Sequence, residues 1–234
     1  MFQGKMKAIT LSYDDGVTQD RRLIKMLEKY GLKCTFNINS GLFHTARVMY
    51  QNGVTVPHTR FHKDEIRGLY EGHEIAVHTL THPSLKELSD DEIVREVEED
   101  RLCLSDIAGY EVVGMAYPGG SSCVDRRVVD LVRERTGVRY ARNTTSSFSF
   151  EPQEDLYNFR PSVYDYWQPK EMLRLAEEFL ALQPETPQIF YIWGHSYEWD
   201  FCDMWDQMDD LFRMISGHSD IFYGTNKQVL LGME

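Results

Sequence analysis

Strand-like and helix-like segments alternate along most of the 234-residue chain. The strand-like runs include KAITLSY, KCTFNI and QIFYIWG, and the amphipathic helix-like runs include TQDRRLIKMLEKY and PKEMLRLAEEFLAL. About seven such steps follow one another, which favours parallel strands because each parallel pair needs a long, usually helical, connection. The alternation therefore predicts an α/β fold.

The same pattern indicates one domain over residues 1–234, since no shift in composition and no fixed-period repeat divides it. The first strand-to-helix turn, YDDGVT, lacks the GxGxxG loop of dinucleotide-binding sheets. A closed or nearly closed β/α barrel therefore fits better than an open doubly wound sheet. The segment 40–62 has no clear periodicity and is predicted to be a long loop beside a binding site.

Composition narrows the range of partners and locations. A formal charge of −12 disfavours nucleic acids and anionic membranes as partners. The N-terminus has no apolar run long enough for a signal peptide or a membrane span, which predicts a cytoplasmic protein, or a secreted one if a leader has been removed. Four scattered cysteines without CxxC spacing indicate neither a zinc cage nor a redox pair.

Polar residues stand at the carboxyl ends of the predicted strands, where the active sites of β/α barrels lie. In chain order these ends carry Asp14 and Asp15, His78 with His82 four residues later, Tyr117-Pro118-Gly119, Arg142, and Gly194 followed by His195. In a barrel all of these residues converge on one rim. The sequence therefore predicts a single active site at that rim.

The HTLTH segment and the aspartate pair both suggest metal chemistry. The spacing of His78 and His82 lets two imidazoles reach one ion, although the same spacing occurs by chance in surface turns. A carboxylate at a neighbouring strand end favours the metal interpretation. A helix N-cap would need only one of Asp14 and Asp15, so the pair suggests one metal ligand and one proton acceptor.

The remaining histidines differ in their surroundings. His195 lies among aromatic residues in IWGHSYEWD, where it is either a core histidine or a general acid facing a sugar pocket; we favour the second. His58 and His62 repeat the four-residue spacing, but they lie in the predicted loop beside Pro57 and are not expected to bind metal. The acidic run EIVREVEEDR is expected to be a solvated helix face.

These motifs together resemble those of polysaccharide deacetylases of the NodB-homology type, carbohydrate esterase family 4. SYDDG at 12–16 is similar to the family's TFDDG-like motif, HTLTH at 78–82 to its H[ST]xxH motif, and WGH at 193–195 to its late LxH-like motif. The resemblance implies a distorted (β/α)7 barrel that binds one divalent metal, most often Zn²⁺, with Co²⁺, Ni²⁺ or Mn²⁺ as alternatives. It also implies hydrolysis of acetyl groups on N- or O-acetylated oligo- or polysaccharides.

The resemblance also implies roles for single residues. Carried over position by position, it makes Asp14 the catalytic base, Asp15, His78 and His82 the metal ligands, and His195 the general acid.

The chain departs from the family's third motif, which is usually RxPY. Here MAYPGG places Ala116 where the arginine that orients the base would stand, and Gly119 follows the proline. We expect Arg142 to supply the missing charge, with Arg160 as the second candidate.

The family's fourth motif, an acidic residue near a tryptophan, is matched loosely by VYDYW. Asp165 is therefore predicted to be the carboxylate partner of His195. The residues expected to contact the substrate are Tyr117, Pro118, Gly119, Trp167 and Trp193.

Two alternative functions stay open. A related barrel could cleave a C–N amide in a molecule that is not a sugar. Alternatively, the barrel could have lost catalysis and only bind a glycan. The absent third-motif arginine favours this alternative. The intact acid–base pair argues against it, because binding alone does not need such a pair. The sequence does not predict an oligomeric state.

Overall fold

The computed structural model describes residues 2–233. In chain order its strands are β1 (Lys7–Asp14), β2 (Cys34–Ile38), β3 (Ala46–Gln51), β4 (Val54–Thr59), β5 (Glu74–Val77), β6 (Gly114–Ala116), β7 (Tyr140–Arg142), β8 (Val163–Tyr164), β9 (Gln188–Gly194) and β10 (Ile221–Tyr223). Its α-helices are α1 (Asp20–Tyr30), α2 (Lys63–Leu69), α3 (Asp90–Ala108), α4 (Arg126–Arg135), α5 (Pro169–Ala181), α6 (Trp199–Cys202), α7 (Trp205–Ile215) and α8 (Asn226–Leu230).

Eight of these strands form one parallel sheet in the order β7-β6-β5-β2-β1-β9-β8, with β10 paired to β1 as well. Along one edge of β1, β10 pairs with Lys7–Ile9 and β2 pairs with Leu11–Asp14. The sheet curls, and an isolated parallel bridge joins Arg142 at the end of β7 to Phe159, shortly before β8. The predicted α/β fold of the barrel type is confirmed as a curled half-barrel. The single domain over 1–234 stays a prediction.

Two central strands explain why polar residues gather at one end of the sheet. Every residue of β1 is buried, and so is every residue of β9 beside it. Strands covered on both faces carry near-continuous apolar runs, as AITL and IFYIW do here. The polar residues that end these strands, Asp14 and His195, therefore emerge together at one end of the sheet.

The helix ends follow the sequence signals. α1 ends at Gly31, whose φ of 65° is the left-handed conformation that glycine adopts without steric cost. The capping box predicted at Ser89 is present, because the backbone N–H of Ser89 donates to Glu92 Oε2 at 2.9 Å. α3 then runs to Ala108, and its inner face packs on the sheet.

The prediction of a long loop over 40–62 is wrong in part, because β3 and β4 form an antiparallel hairpin there. Asn52 and Gly53 join the two strands with φ values of 50° and 85°. Positive φ at both central residues is the requirement of a type I′ hairpin turn, which Asn-Gly satisfies. Met49 and Val56 lie on the inner face, next to Tyr197, and the outer face is exposed. The hairpin thus packs beside the carboxyl ends of β1 and β9.

Among residues 2–233, no helix combines the length and the apolar character needed to cross a lipid bilayer.

Candidate active site

The carboxyl ends of the parallel strands surround a cavity of about 340 Å³. Its walls come from the ends of β1, β8 and β9, from the segments that follow β5, β6 and β7, from the start of β3 and from the turn after β9. The lining residues are Asp14, Asp15, Arg47, His78, His82, Gly119, Gly120, Thr144, Tyr164, Trp193, His195 and Tyr197. The structure thus brings most of the predicted strand-end residues to one cavity, whereas Tyr117, Pro118 and Arg142 do not line it.

Three of these residues form a cluster with the donor atoms of a metal site. One ligand atom each from Asp15, His78 and His82 lies within 4.8 Å of the other two. His78 Nδ1 donates to the carbonyl oxygen of Ala116 at 2.8 Å, which leaves Nε2 unprotonated, buried and with no hydrogen-bond partner among residues 2–233. Burial lowers the pKa of His78 to about 4, so the ring is neutral at physiological pH. An oriented neutral imidazole with an unused nitrogen fits a metal ligand.

The backbone around this cluster is strained and firmly held. Asp15, Thr79 and His82 have φ values of 83°, 67° and 59°, a region that costs a residue other than glycine about 1–3 kcal/mol. Two buried carboxylates of α3 hold the segment between the histidines. Asp100 accepts from the backbone N–H of His78 at 3.1 Å, and Glu96 accepts from the N–H of Thr81 at 2.9 Å.

The sequence predicts that the acidic run on α3 is a solvated helix face, and this prediction is correct only in part. Glu96 and Asp100 are 5% and 0% exposed, while Glu92 and Glu99 point to solvent. The helical positions 96 and 100 are four apart and lie on the face toward the sheet.

Asp15 has two cationic or polar partners from the hairpin. His58 Nε2 lies 2.9 Å from Asp15 Oδ2, and Arg60 Nη2 donates to Oδ1 at 3.0 Å. Burial alone would raise the pKa of Asp15, but the hydrogen bond from His58 and the charge of His195 outweigh it and hold the pKa well below its usual range. His58 lies outside the possible ligand cluster, but it is buried against Asp15, a contact that the sequence does not predict. His62 is exposed.

Asp14 is buried and paired with the arginine that the sequence singled out. Arg142 Nη2 donates to both carboxylate oxygens of Asp14, at 2.7 and 2.5 Å, and Asn37 Nδ2 donates to Oδ1 at 2.8 Å. Burial would raise the pKa of Asp14, but Arg142 and two histidines outweigh it and lower the pKa. Arg160, the second candidate, is exposed and does not line the cavity.

Asp14 lies between the histidine cluster and His195. Its Oδ2 is 3.9 Å from His78 Nε2 and 4.0 Å from His195 Nε2. A buried carboxylate and a second histidine thus flank the space beside the possible metal ligands. That arrangement can move one proton at Asp14 and another at His195.

The partner of His195 is Glu198, not Asp165. Glu198 Oε2 lies 3.0 Å from His195 Nδ1, and the hydroxyl of Tyr164 donates to Glu198 at 2.6 Å. Burial would lower the pKa of His195, but the carboxylates of Glu198, Asp14 and Asp15 outweigh it and raise the pKa to about 10. His195 is therefore a protonated group with its Nε2 facing Asp14.

Asp165 has a different role. It accepts from the hydroxyl of Tyr13 at 2.8 Å and from Trp199 Nε1 at 3.0 Å, and burial raises its pKa to about 7. Only glycine fits at position 194, because a Cβ there would lie 2.2 Å from Asp165 Oδ1. Asp165 therefore supports the backbone that carries His195 without touching its ring.

The sequence model of the polysaccharide deacetylases, described as "Polysaccharide deacetylase", matches residues 3–141, more than half of the chain. The chain belongs to the polysaccharide deacetylase family. No sequence among the curated proteins matches it.

Solved structures share the fold of the family. A family 4 carbohydrate esterase from Streptomyces lividans, solved with acetate, is 14% identical, with a TM-score of 0.59 over 94% of this chain and 93% of its own. The polysaccharide deacetylase Bc1974 from Bacillus cereus is 16% identical, with a TM-score of 0.56 over 94% and 91%. BA3943 from Bacillus anthracis, a pseudoenzyme of the same esterase family, is 15% identical, with a TM-score of 0.57 over 96% and 66%. At these identities the similarity is one of fold.

Only some of the residues that are expected to contact the substrate lie at the cavity. Gly119 and Trp193 line the cavity, but Trp193 is only 3% exposed, because its ring stacks on Tyr164 at 4.1 Å and lies 4.2 Å from the guanidinium carbon of Arg142. Tyr117 is turned inward and donates to the carbonyl oxygen of Tyr157 at 2.9 Å.

Pro118 is buried beneath the turn and does not line the cavity. Trp167 is 63% exposed and lies in a separate surface groove with Phe148 and Pro169. Substrate contact by Tyr117, Pro118 and Trp167 is not supported by this arrangement of side chains.

Several site residues were missed from the sequence although a signal was present. Asn52-Gly53 predicts a hairpin, which would have brought Arg47, His58 and Arg60 into consideration. Glu198 stands three residues after His195, a spacing that one helical turn closes. Asp100 had no such signal, because its backbone partners lie in distant segments.

Proposed function

We propose that the protein is a metal-dependent deacetylase that hydrolyses the acetyl group of an N- or O-acetylated sugar. The observation that carries this proposal is the cluster of Asp15, His78 and His82, with Asp14 and His195 beside it. A metal site with three protein ligands and a separate base and acid is typical of a hydrolase that activates water. Membership of the polysaccharide deacetylase family supports an acetylated sugar as the substrate.

Asp15, His78 and His82 would hold the metal. Two imidazoles and a carboxylate suit Zn²⁺ best, and Co²⁺, Ni²⁺ and Mn²⁺ are accepted by the same donors. When bound, such an ion supplies Lewis acidity toward an acetyl carbonyl and makes water more acidic. The buried, unpartnered Nε2 of His78 is the feature of this chain that fits the ion most directly.

Asp14 would take the proton from the attacking water. Its carboxylate is kept ionised by Arg142 and fixed by Asn37, so it can accept a proton without first losing one. His195 would give a proton to the leaving amine or alkoxide. Glu198 holds its Nδ1, which keeps the ring charged and directs Nε2 to the cavity. The backbone N–H of Gly119, on the cavity wall, would stabilise the oxyanion.

The pairing of Arg142 with Asp14 also supports activity over a binding-only role. The third-motif arginine is absent at Ala116, but an arginine from the next strand contacts the carboxylate that would act as base. A protein that only binds glycan does not need that contact.

The test is acetate release with and without metal. Protein stripped by chelator should release no acetate from N-acetylated chitooligosaccharides or acetylated xylan, and reloading with Zn²⁺, Co²⁺, Ni²⁺ or Mn²⁺ should restore release. Asp14→Asn is the matched control: it should bind Zn²⁺ but lose about 100-fold or more in kcat, the contribution of a general base. Activity confined to small non-sugar amides would favour the alternative amidohydrolase, and no activity on any substrate would favour a pseudoenzyme.

His58 is expected to raise metal affinity by holding Asp15. Its Nε2 occupies Asp15 Oδ2, so that Oδ1, 4.0 Å from His82 Nε2, is directed toward the histidines. His58→Ala should lower Zn²⁺ affinity by about 10–100-fold, as loss of such outer-shell partners does. Competition with a chromophoric chelator measures this affinity without turnover.

His58→Gln is the control for this effect, because its amide nitrogen can reach the place of Nε2. It should keep most of the Zn²⁺ affinity. Equal affinities for wild type and His58→Ala would show that the hairpin contact does not position Asp15.

A further inference from the structure

The charges around the cavity are paired with one exception. Asp14 is neutralised by Arg142, Asp15 by Arg60, and His195 by Glu198. Arg47 is the only lysine or arginine among the described residues that line the cavity, and within residues 2–233 its side chain makes no ion pair or hydrogen bond.

The hairpin register explains why Arg47 faces the site. Arg47 is directly opposite His58 in the β3–β4 pair, and residues opposite each other point to the same face of a hairpin. His58 on that face is buried against Asp15, so Arg47 is held on the same side but nearer to solvent.

We propose that Arg47 recognises an anionic substituent on the acetylated sugar, so that the preferred substrate carries a carboxylate or a phosphate on the same sugar unit. This inference rests on the proposed deacetylase function. A guanidinium binds either anion with two parallel N–H donors, which gives both affinity and orientation. The net negative charge of the whole chain disfavours long polyanions, so the recognised charge is a local one on a sugar.

The experiment compares matched sugars in the zinc-loaded protein. N-acetylmuramic acid supplies a carboxylate, N-acetylglucosamine 6-phosphate a phosphate, and N-acetylglucosamine neither. Both kcat/KM for acetate release and Kd by calorimetry are measured for wild type and Arg47→Gln. The variant should lose about tenfold on one or both anionic sugars and change by less than about twofold on the neutral one, in the range of a charge-assisted contact made by an exposed arginine.

Arg139→Gln is the control for the loss of one positive charge. Arg139 is exposed and precedes β7, at the end of the sheet opposite to the cavity, so its variant should match wild type on all three sugars. Arg47→Lys should recover only part of the anion preference, because lysine lacks the two parallel donors.

The outcomes separate this inference from the proposed function. A loss on the carboxylate sugar only, or on the phosphate sugar only, identifies the anion. An equal change on charged and neutral sugars, no change, or no binding of any sugar overturns the role of Arg47. If wild type releases no acetate from any substrate, the deacetylase proposal fails, while the ratio of Kd values still decides whether Arg47 recognises an anion.

Discussion

His78→Ala is expected to abolish Zn²⁺ binding and acetate release together. The ring contributes a buried, neutral nitrogen with no hydrogen-bond partner in the described part of the chain, and its orientation is fixed by the hydrogen bond from Nδ1 to the carbonyl oxygen of Ala116. Removal of a direct ligand should cost more than the about 10–100-fold in affinity that outer-shell changes cost. Calorimetric titration of chelator-treated protein with Zn²⁺ measures the loss, and circular dichroism checks that the variant is folded.

His62→Ala is the matched control. His62 is exposed and outside the cluster, although it shares a four-residue spacing with His58 just as His82 does with His78. It should bind one Zn²⁺ with the affinity of wild type. If His78→Ala also bound one Zn²⁺ at wild-type affinity, the ion would lie elsewhere in the protein.

Arg142→Met should cause the largest loss of stability among single substitutions in the site. Arg142 is fully buried, and the variant would leave Asp14 buried without its charge partner. Breaking a buried ion pair from one side lowers the free energy of unfolding by about 3–5 kcal/mol. Urea unfolding of wild type and variant measures the difference.

The double variant Asp14→Asn/Arg142→Met separates the ion pair from the packing of Arg142 on Trp193. It contains neither buried charge, so it should recover much of the stability that Arg142→Met loses, and the coupling of the two positions should appear in a double-mutant cycle. Additive effects of the two single changes would contradict a direct Asp14–Arg142 interaction.

The position of the site could be predicted from the sequence because parallel strands put their carboxyl ends on one side. Asp14, His78 and His195 each directly end or follow a buried strand, so the topology alone brings them together. Arg142 could be predicted for the same reason: β7 lies next to β6, the strand that carries Ala116 at the family's arginine position.

The hairpin residues could not be found in the same way, because they come from outside the parallel sheet. Pro57 and the short strands weaken the strand pattern of 46–59, and only Asn52-Gly53 marks the turn. Arg47, His58 and Arg60 reach the site through tertiary packing of that hairpin against Val17 and Tyr197.

The pairing of His195 with Glu198, and not with the predicted Asp165, also could not be read from the sequence. Both carboxylates lie near the end of β9, but the short 3-10 turn Ser196–Glu198 folds Glu198 back onto the imidazole. Asp165 is held instead by Tyr13 and Trp199, two donors that a sequence pattern does not connect to it.

In the proposed function, one divalent cation binds to Asp15, His78 and His82 beside Asp14. Anomalous X-ray diffraction at the zinc edge, from crystals grown with Zn²⁺, locates that ion directly. We expect one strong peak at about 2.0–2.2 Å from Nε2 of both histidines and from an oxygen of Asp15. A peak at any other group of residues, with none at this cluster, would contradict it.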